Sequence, residues 1–178
     1  MSERRLLEEL NKKIIRCKKC TRLSKYIKKI AKDKVKRFQE ENYWGRPLPG
    51  FGDPKAELLI VGLAPAAQGG NRTGRMFTGD SSGDWVSKVL YKHGFASKSS
   101  SLYVNDGFEL INAYITVVRC APPQNKPQKE ELDNCSAYLT KSFCCYVISK
   151  LYLCLGKIVF DSCCKIFKKV KKVLEDSS

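Results

Sequence analysis

Histidine is all but missing from this chain of 178 residues: His93 is the only one. It falls in the last turn of a predicted helix, where the dipole favours a positive side chain, so its role is read as structural rather than catalytic. No apolar run approaches the roughly 20 residues needed to span a bilayer. The charged N-terminus lacks a signal peptide's apolar core, which points to an intracellular protein without a membrane partner. Internal repeats and long low-complexity segments are absent too. Acidic residues are scarce, 18 Asp and Glu against 33 Lys and Arg, for a net charge of +15. The plain reading of that excess is a solubilising, lysine-rich surface. The sharper one is a polyanionic partner, most often nucleic acid.

What is present suits one domain over residues 1–178, long enough for a proper core. Residues 1–40 read as helix, with Leu6, Leu7, Leu10, Ile14 and Ile15 at helical spacing and fifteen Lys and Arg between Arg4 and Arg37. Residues 41–54 hold three prolines and three glycines and read as loop. Tyr43, Trp44 and Phe51 are expected either to fold that loop back as one wall of a pocket or simply to pack on the body of the protein. The unbroken apolar run Ala56 to Val61 predicts a strand buried on both faces. A helix is expected from about Asp84, which would cap it, to Gly94. A second strand is expected over 109–118 and a helix over 128–148, with Leu139, Phe143 and Val147 at spacing four. A third strand at 151–155 and a basic helix over 157–174 follow. Strands alternating with helices argue for an α/β fold, a mostly parallel sheet with helices on both faces.

Nine cysteines are many for a chain without an export signal, and a disulfide framework is not expected. Cys17 and Cys20 form a CxxC pair; Cys120 sits where a strand breaks into prolines, and Cys135 lies near the start of the next helix. Brought together, these four thiolates would suit zinc or an iron–sulfur cluster, and spacing alone leaves both open. Cys144, Cys145, Cys154, Cys163 and Cys164 lie among apolar neighbours and read as small buried hydrophobes.

Between the first strand and the next helix runs a glycine-rich stretch from Val61 to Gly83. A strand breaking into small residues and then a helix is the usual ligand site of α/β proteins. The stretch also carries Arg72, Arg75, Phe77 and Asp80. Its motif, GLAPAAQGGNRTGRMFTGDSSGDW at 62–85, with VRCAPPQNKPQKEELDNC at 118–135 and LGKIVFDS at 155–162, resembles the type-5 uracil-DNA glycosylases of archaea and bacteria. The type-4 enzymes carry an acidic residue where this chain has Ala64-Pro65-Ala66-Ala67. The resemblance covers roughly Leu10 to Phe167.

The resemblance implies a three-layer α/β/α sandwich around a short parallel sheet. It implies a structural [4Fe-4S] cluster on Cys17, Cys20, Cys120 and Cys135, and DNA containing uracil or other deaminated bases as the partner. The expected location is then the cytoplasm of a prokaryote, at the nucleoid. Gly62 and Ala64 fall in the base-binding motif. Phe77 matches the phenylalanine that stacks on the flipped base, Asn125 an asparagine of the proline loop, and Asp80 the catalytic aspartate. A helix cap is the plainer role for Asp80. Arg72 and Arg75 would contact DNA phosphates or brace the loop. The family's C-terminal histidine motif has no counterpart after His93, which raises the expectation of a truncated domain completed by a second polypeptide. The leading reading is a base-excision glycosylase. The alternatives are a non-catalytic iron–sulfur DNA-binding module of the same fold and a zinc-bound nucleic-acid-binding protein.

Overall fold

The computed structural model describes residues 3–118, 120–145 and 151–175. The chain opens with helices α1 (Glu3–Ile15) and α2 (Thr21–Asp33), then a two-residue strand β1 (Phe51–Gly52) and strand β2 (Leu58–Gly62). A single helical turn, α3 (Gly70–Thr73), leads to helix α4 (Ser81–Lys92) and strand β3 (Ala113–Val117). Helix α5 (Lys129–Cys145), strand β4 (Leu151–Cys154) and helix α6 (Lys157–Glu175) complete the fold. The sheet order is β1-β3-β2-β4, with β2 parallel to both neighbours and β1 antiparallel at the edge.

β2 shows why this is a sandwich. All five of its residues are buried, as an unbroken apolar run requires. Its side chains alternate between two cores. Leu59 and Val61 join Leu7, Leu139, Phe143, Val159 and Ile166 from α1, α5 and α6 on one face. Leu58 and Ile60 join Met76, Val86, Leu90, Phe108 and Leu110, around α4, on the other. Each such aliphatic burial contributes about 1.5–3 kcal/mol. The expected α/β/α layering and mostly parallel sheet are therefore present.

Several expected boundaries move. The continuous helix over residues 1–40 is two helices, broken at the CxxC pair. Cys17 N–H closes a tight turn on Ile14 C=O at 3.0 Å, and Cys20 takes the extended conformation that starts α2. No glycine or proline marks that break, so periodicity passes over it. The proline-rich stretch, read as loop throughout, holds β1, which is too short to leave a pattern. Strand β3 starts later than expected because Asn112 has a left-handed φ of 50° and its side-chain carbonyl accepts from Glu57 N–H at 2.8 Å. Leu110 instead belongs to an isolated bridge with Ala96. Helix α4 begins at Ser81 with Asp80 as its cap, displacing the role given to Asp84, which sits exposed in the first turn. His93 caps the other end of α4. Val147 and Arg119 lie outside the described residues. Among the described residues no helix is long and apolar enough to cross a membrane.

Candidate active site and cysteine centre

A cleft of about 640 Å³ opens at the carboxyl ends of the strands, a size suited to a small ligand. Leu63, Ala64, Pro65 and Ala66 line it from the loop after β2, with Phe77 and Asp80, and Ser81, Ser82 and Trp85 from the start of α4. Pro122 and Asn125 close it from the loop after β3. Its polar groups are few: one carboxylate, two hydroxyls and an amide.

Phe77 is held in place by its backbone and by what lies beneath its ring. Its φ of 50° is uncommon for a bulky side chain and marks a site where surroundings impose the conformation. A Cβ added at Gly62 would come within 2.7 Å of the Phe77 ring. The sequence reading put Gly62 in the base-binding motif, but it does not line the cleft. It lies buried beneath Phe77 and lets the aromatic face settle onto the end of β2.

Asp80 accepts a hydrogen bond from Gly83 N–H at 2.9 Å through Oδ1, the N-cap bond. Its Oδ2 lies against Gly69, where any Cβ would collide with the carboxylate. One oxygen thus anchors the helix while the residue lines the cleft, so capping and chemistry are compatible. Asn125 and Gln124 both take left-handed backbone, with φ of 56° and 53°. This aims an exposed amide loop at the cleft mouth. Arg22, at the start of α2, braces that loop: it donates to Lys126 C=O at 3.1 Å and pairs with buried Glu131 at 2.7 and 2.8 Å.

Arg72 and Arg75 are turned into the protein. Both are buried, 8% exposed. Arg72 pairs with Glu41, donates to Gln68 C=O at 2.8 Å and lies 3.8 Å from the Phe38 ring centroid. Arg75 pairs with Asp106 at 2.8 Å and donates to Ser101 and Thr78. Each guanidinium spends three of its five N–H donors on internal acceptors, so both residues brace the loop. Of the two readings of the segment 43–52, the structure shows packing on the body rather than a pocket wall. Trp44 and Gly45 N–H donate to Arg72 and Asn71 carbonyls, and Tyr43 OH bonds Gln68 at 2.6 Å. The aromatics cover the outside of the loop and do not line the cleft.

The four cysteines read as ligands converge, although they come from three places in the chain: the turn between α1 and α2, the loop after β3, and α5. Cys17, Cys120 and Cys135 border an interior void of about 40 Å³ with Ile14, Leu48, Thr116 and Tyr138. Burial pushes the Cys120 thiol well up, and Cys135, Cys17 and Cys20 each add to the shift by their nearness. Burial likewise raises Cys20, although Asn134 donates to its sulfur at 3.7 Å. Tyr138 is pushed up to about 12, chiefly by its bond to Cys17. A gathering of thiols whose ionised forms repel one another is the donor set that a cationic metal centre reverses, so the residues fit such a group. Among the described residues, no three ligating side chains close tightly enough to clasp a single ion. Of the other five cysteines, Cys163 is buried as expected, but Cys144 is exposed.

Comparison with known proteins places this geometry. The family described as the uracil DNA glycosylase superfamily matches residues 49–176. A type-5 uracil-DNA glycosylase of Pyrobaculum aerophilum is 41% identical over 155 residues, 86% of this chain and 67% of that protein. One of Thermus thermophilus is 43% identical over 147 residues, 82% and 66% of the two chains. A type-4 uracil-DNA glycosylase of Sulfurisphaera tokodaii is 29% identical over 175 residues, 94% and 64%. The chain thus spans about two thirds of the length of these relatives.

Proposed function

Since the chain belongs to the uracil-DNA glycosylase superfamily, on its type-5 branch, we propose that it hydrolyses the N-glycosidic bond of uracil in DNA, as a DNA-repair hydrolase. The observation that carries this reading is the cleft itself. It holds the Phe77 ring beside Trp85, one carboxylate and one amide, and ion pairs brace the loops behind it: Arg72–Glu41 and Arg75–Asp106 on one side, Arg22–Glu131 on the other. A base must leave the stack to be reached by such a site. Once extruded, it would lie on Phe77, where stacking is worth about 1–3 kcal/mol. The Asn125 amide offers both a donor and an acceptor to the base edge. In the reaction, water adds to the sugar C1′, the C1′–N bond breaks, and its electron pair leaves with the base. The sugar passes through a cationic state that the Asp80 carboxylate favours while it orients the water. The leaving base carries the negative charge, and the N–H groups at the start of α4 face it.

The same reading assigns Cys17, Cys20, Cys120 and Cys135 to a [4Fe-4S] cluster. The support is the convergence of four thiols and their fit to a cationic centre. Bound there, the cluster would be structural: it would tie the turn between α1 and α2 to the loop that carries Asn125 and to α5. Purified protein is expected to show iron and an absorbance shoulder near about 400 nm, lost in Cys120→Ser. Protein with neither iron nor that absorbance would overturn the assignment.

Activity is tested by incubating the protein with a uracil-containing duplex and counting abasic sites. Wild type is expected to form them, and a complete lack would sink the enzyme reading. Gly62→Val tests the plate: its branched side chain would lift the Phe77 ring. Its kcat/KM is expected to fall about 5- to 150-fold, the equivalent of the stacking contribution. Phe77→Ala should fall comparably, and the double variant little further.

A further inference from the structure

With Arg72 and Arg75 turned inward, the cations that meet a nucleic-acid backbone must come from elsewhere. One groove stands out. Lys13, Arg16, Lys18, Lys19 and Lys141 line it, with Cys17, Ala137 and Tyr138, between the end of α1 and the outer face of α5. Its volume is about 430 Å³, and no carboxylate lines it. All five cations are exposed, and among the described residues none is in an ion pair. Pairing is the habit elsewhere on the same helix: Arg4 pairs with Glu8 and Lys12 with Glu9. Five like charges around one groove raise the local positive potential, and a polyanion gains most from it. The floor is firm, because the Lys19 ammonium lies 5.1 Å from the Tyr138 ring centroid and Tyr138 bonds Cys17.

The groove also lies in the right place. Cys17, on its floor, shares the interior void with Cys120. Two residues beyond Cys120, Pro122 begins the loop that closes the cleft with Asn125. Groove and cleft are thus linked through Cys17, the pocket it shares with Cys120, and the loop that follows Cys120.

We propose that this groove binds the phosphate backbone of duplex DNA and holds the strand while a base enters the cleft. The proposal rests on the reading of the cleft as a base pocket, but its test does not need turnover. A variant with Lys13→Gln, Arg16→Gln, Lys18→Gln and Lys141→Gln spares Lys19, which supports Tyr138. Binding of full-length protein to a uracil-free duplex is measured by fluorescence anisotropy over a range of salt. Four lost phosphate contacts should make the slope of log K against log salt shallower by about 3.6, with affinity down about tenfold or more at low salt. A control removes four charges from α6: Lys157→Gln, Lys165→Gln, Lys168→Gln and Lys169→Gln. It should change the slope by less than about one. Thermal melts confirm that both variants fold. An unchanged slope in the groove variant, or equal losses in the two variants, would overturn the proposal. Tighter binding of an RNA duplex of the same sequence, lost in the groove variant, would overturn the DNA assignment. If wild type binds duplex through the groove yet releases no uracil, the groove stands and the glycosylase reading fails.

Discussion

Asp80→Asn is expected to abolish most uracil release while leaving the protein as stable as wild type. The two roles of Asp80 separate in this substitution. Asparagine caps a helix about as well as aspartate, because its side-chain oxygen can still accept from Gly83 N–H. The amide carries no negative charge, however, so it neither favours a cationic sugar nor holds water with the same bias. Positioned acid–base groups contribute about 10²–10⁴-fold, and a single-turnover rate lower by that factor is the expected result. Asp80→Ala removes both functions. It should lose the same activity and, in addition, about 1 kcal/mol of stability, roughly 2–4 °C in Tm for a chain of this size. An Asn variant with the wild-type rate would reduce Asp80 to a cap.

The largest stability loss is expected from Arg75→Met. The Arg75 and Asp106 side chains are only 9% and 8% exposed, so the pair is a buried one. Burial pushes the Asp106 carboxyl up, but hydrogen bonds from Arg75 and from the Leu102, Phe108 and Tyr103 N–H groups outweigh it and hold it well below the carboxylate range. Removing the guanidinium strands that charge in the interior, at a cost of about 3–5 kcal/mol, or roughly 10 °C in Tm. The sign with pH follows. The folded pKa is depressed, so the pair's stabilisation is complete above the unfolded value of about 4 and is lost as pH falls towards the folded one. In the variant the unpaired carboxyl titrates higher, and protonation relieves the penalty. The gap between wild type and Arg75→Met should therefore narrow below about pH 4 in urea melts followed by circular dichroism. A gap that stays constant with pH would mean that the loss comes from packing rather than charge. The pair joins the Phe77 turn to the loop at 101–108, so activity should fall with stability.

The central strand and the helices on both faces were legible because their signals are local. Leu58 to Val61 is apolar without a break, and the helical periodicities around it are long. Cys17, Cys120 and Cys135, which border one pocket, could be picked out by residue type and spacing. What escaped lacked a local signal. β1 is two residues in a stretch rich in proline. The break at Cys17–Cys20 uses no glycine or proline. Asp80 and Asp84 are both acceptable caps, and only the packing of α4 against the glycine loop chose between them. The sequence left Arg72 and Arg75 between phosphate contact and bracing the loop, for one reason. Each arginine meets its carboxylate 31 residues away, Glu41 before it and Asp106 after it.

The sequence by itself determined the α/β alternation, the positive charge, the four thiols, and the placing of Phe77 and Asp80 in one loop between a strand and a helix. Those follow from residue type and local period, which a linear string records in full. Only the tertiary structure decided which charges face inward and which stay free. It also put Gly62 against the Phe77 ring, and gathered into one groove beside Cys17 five cations with no ion pair among the described residues. A charge becomes a brace or a binding surface according to whether a distant carboxylate reaches it, and that partner is chosen by packing.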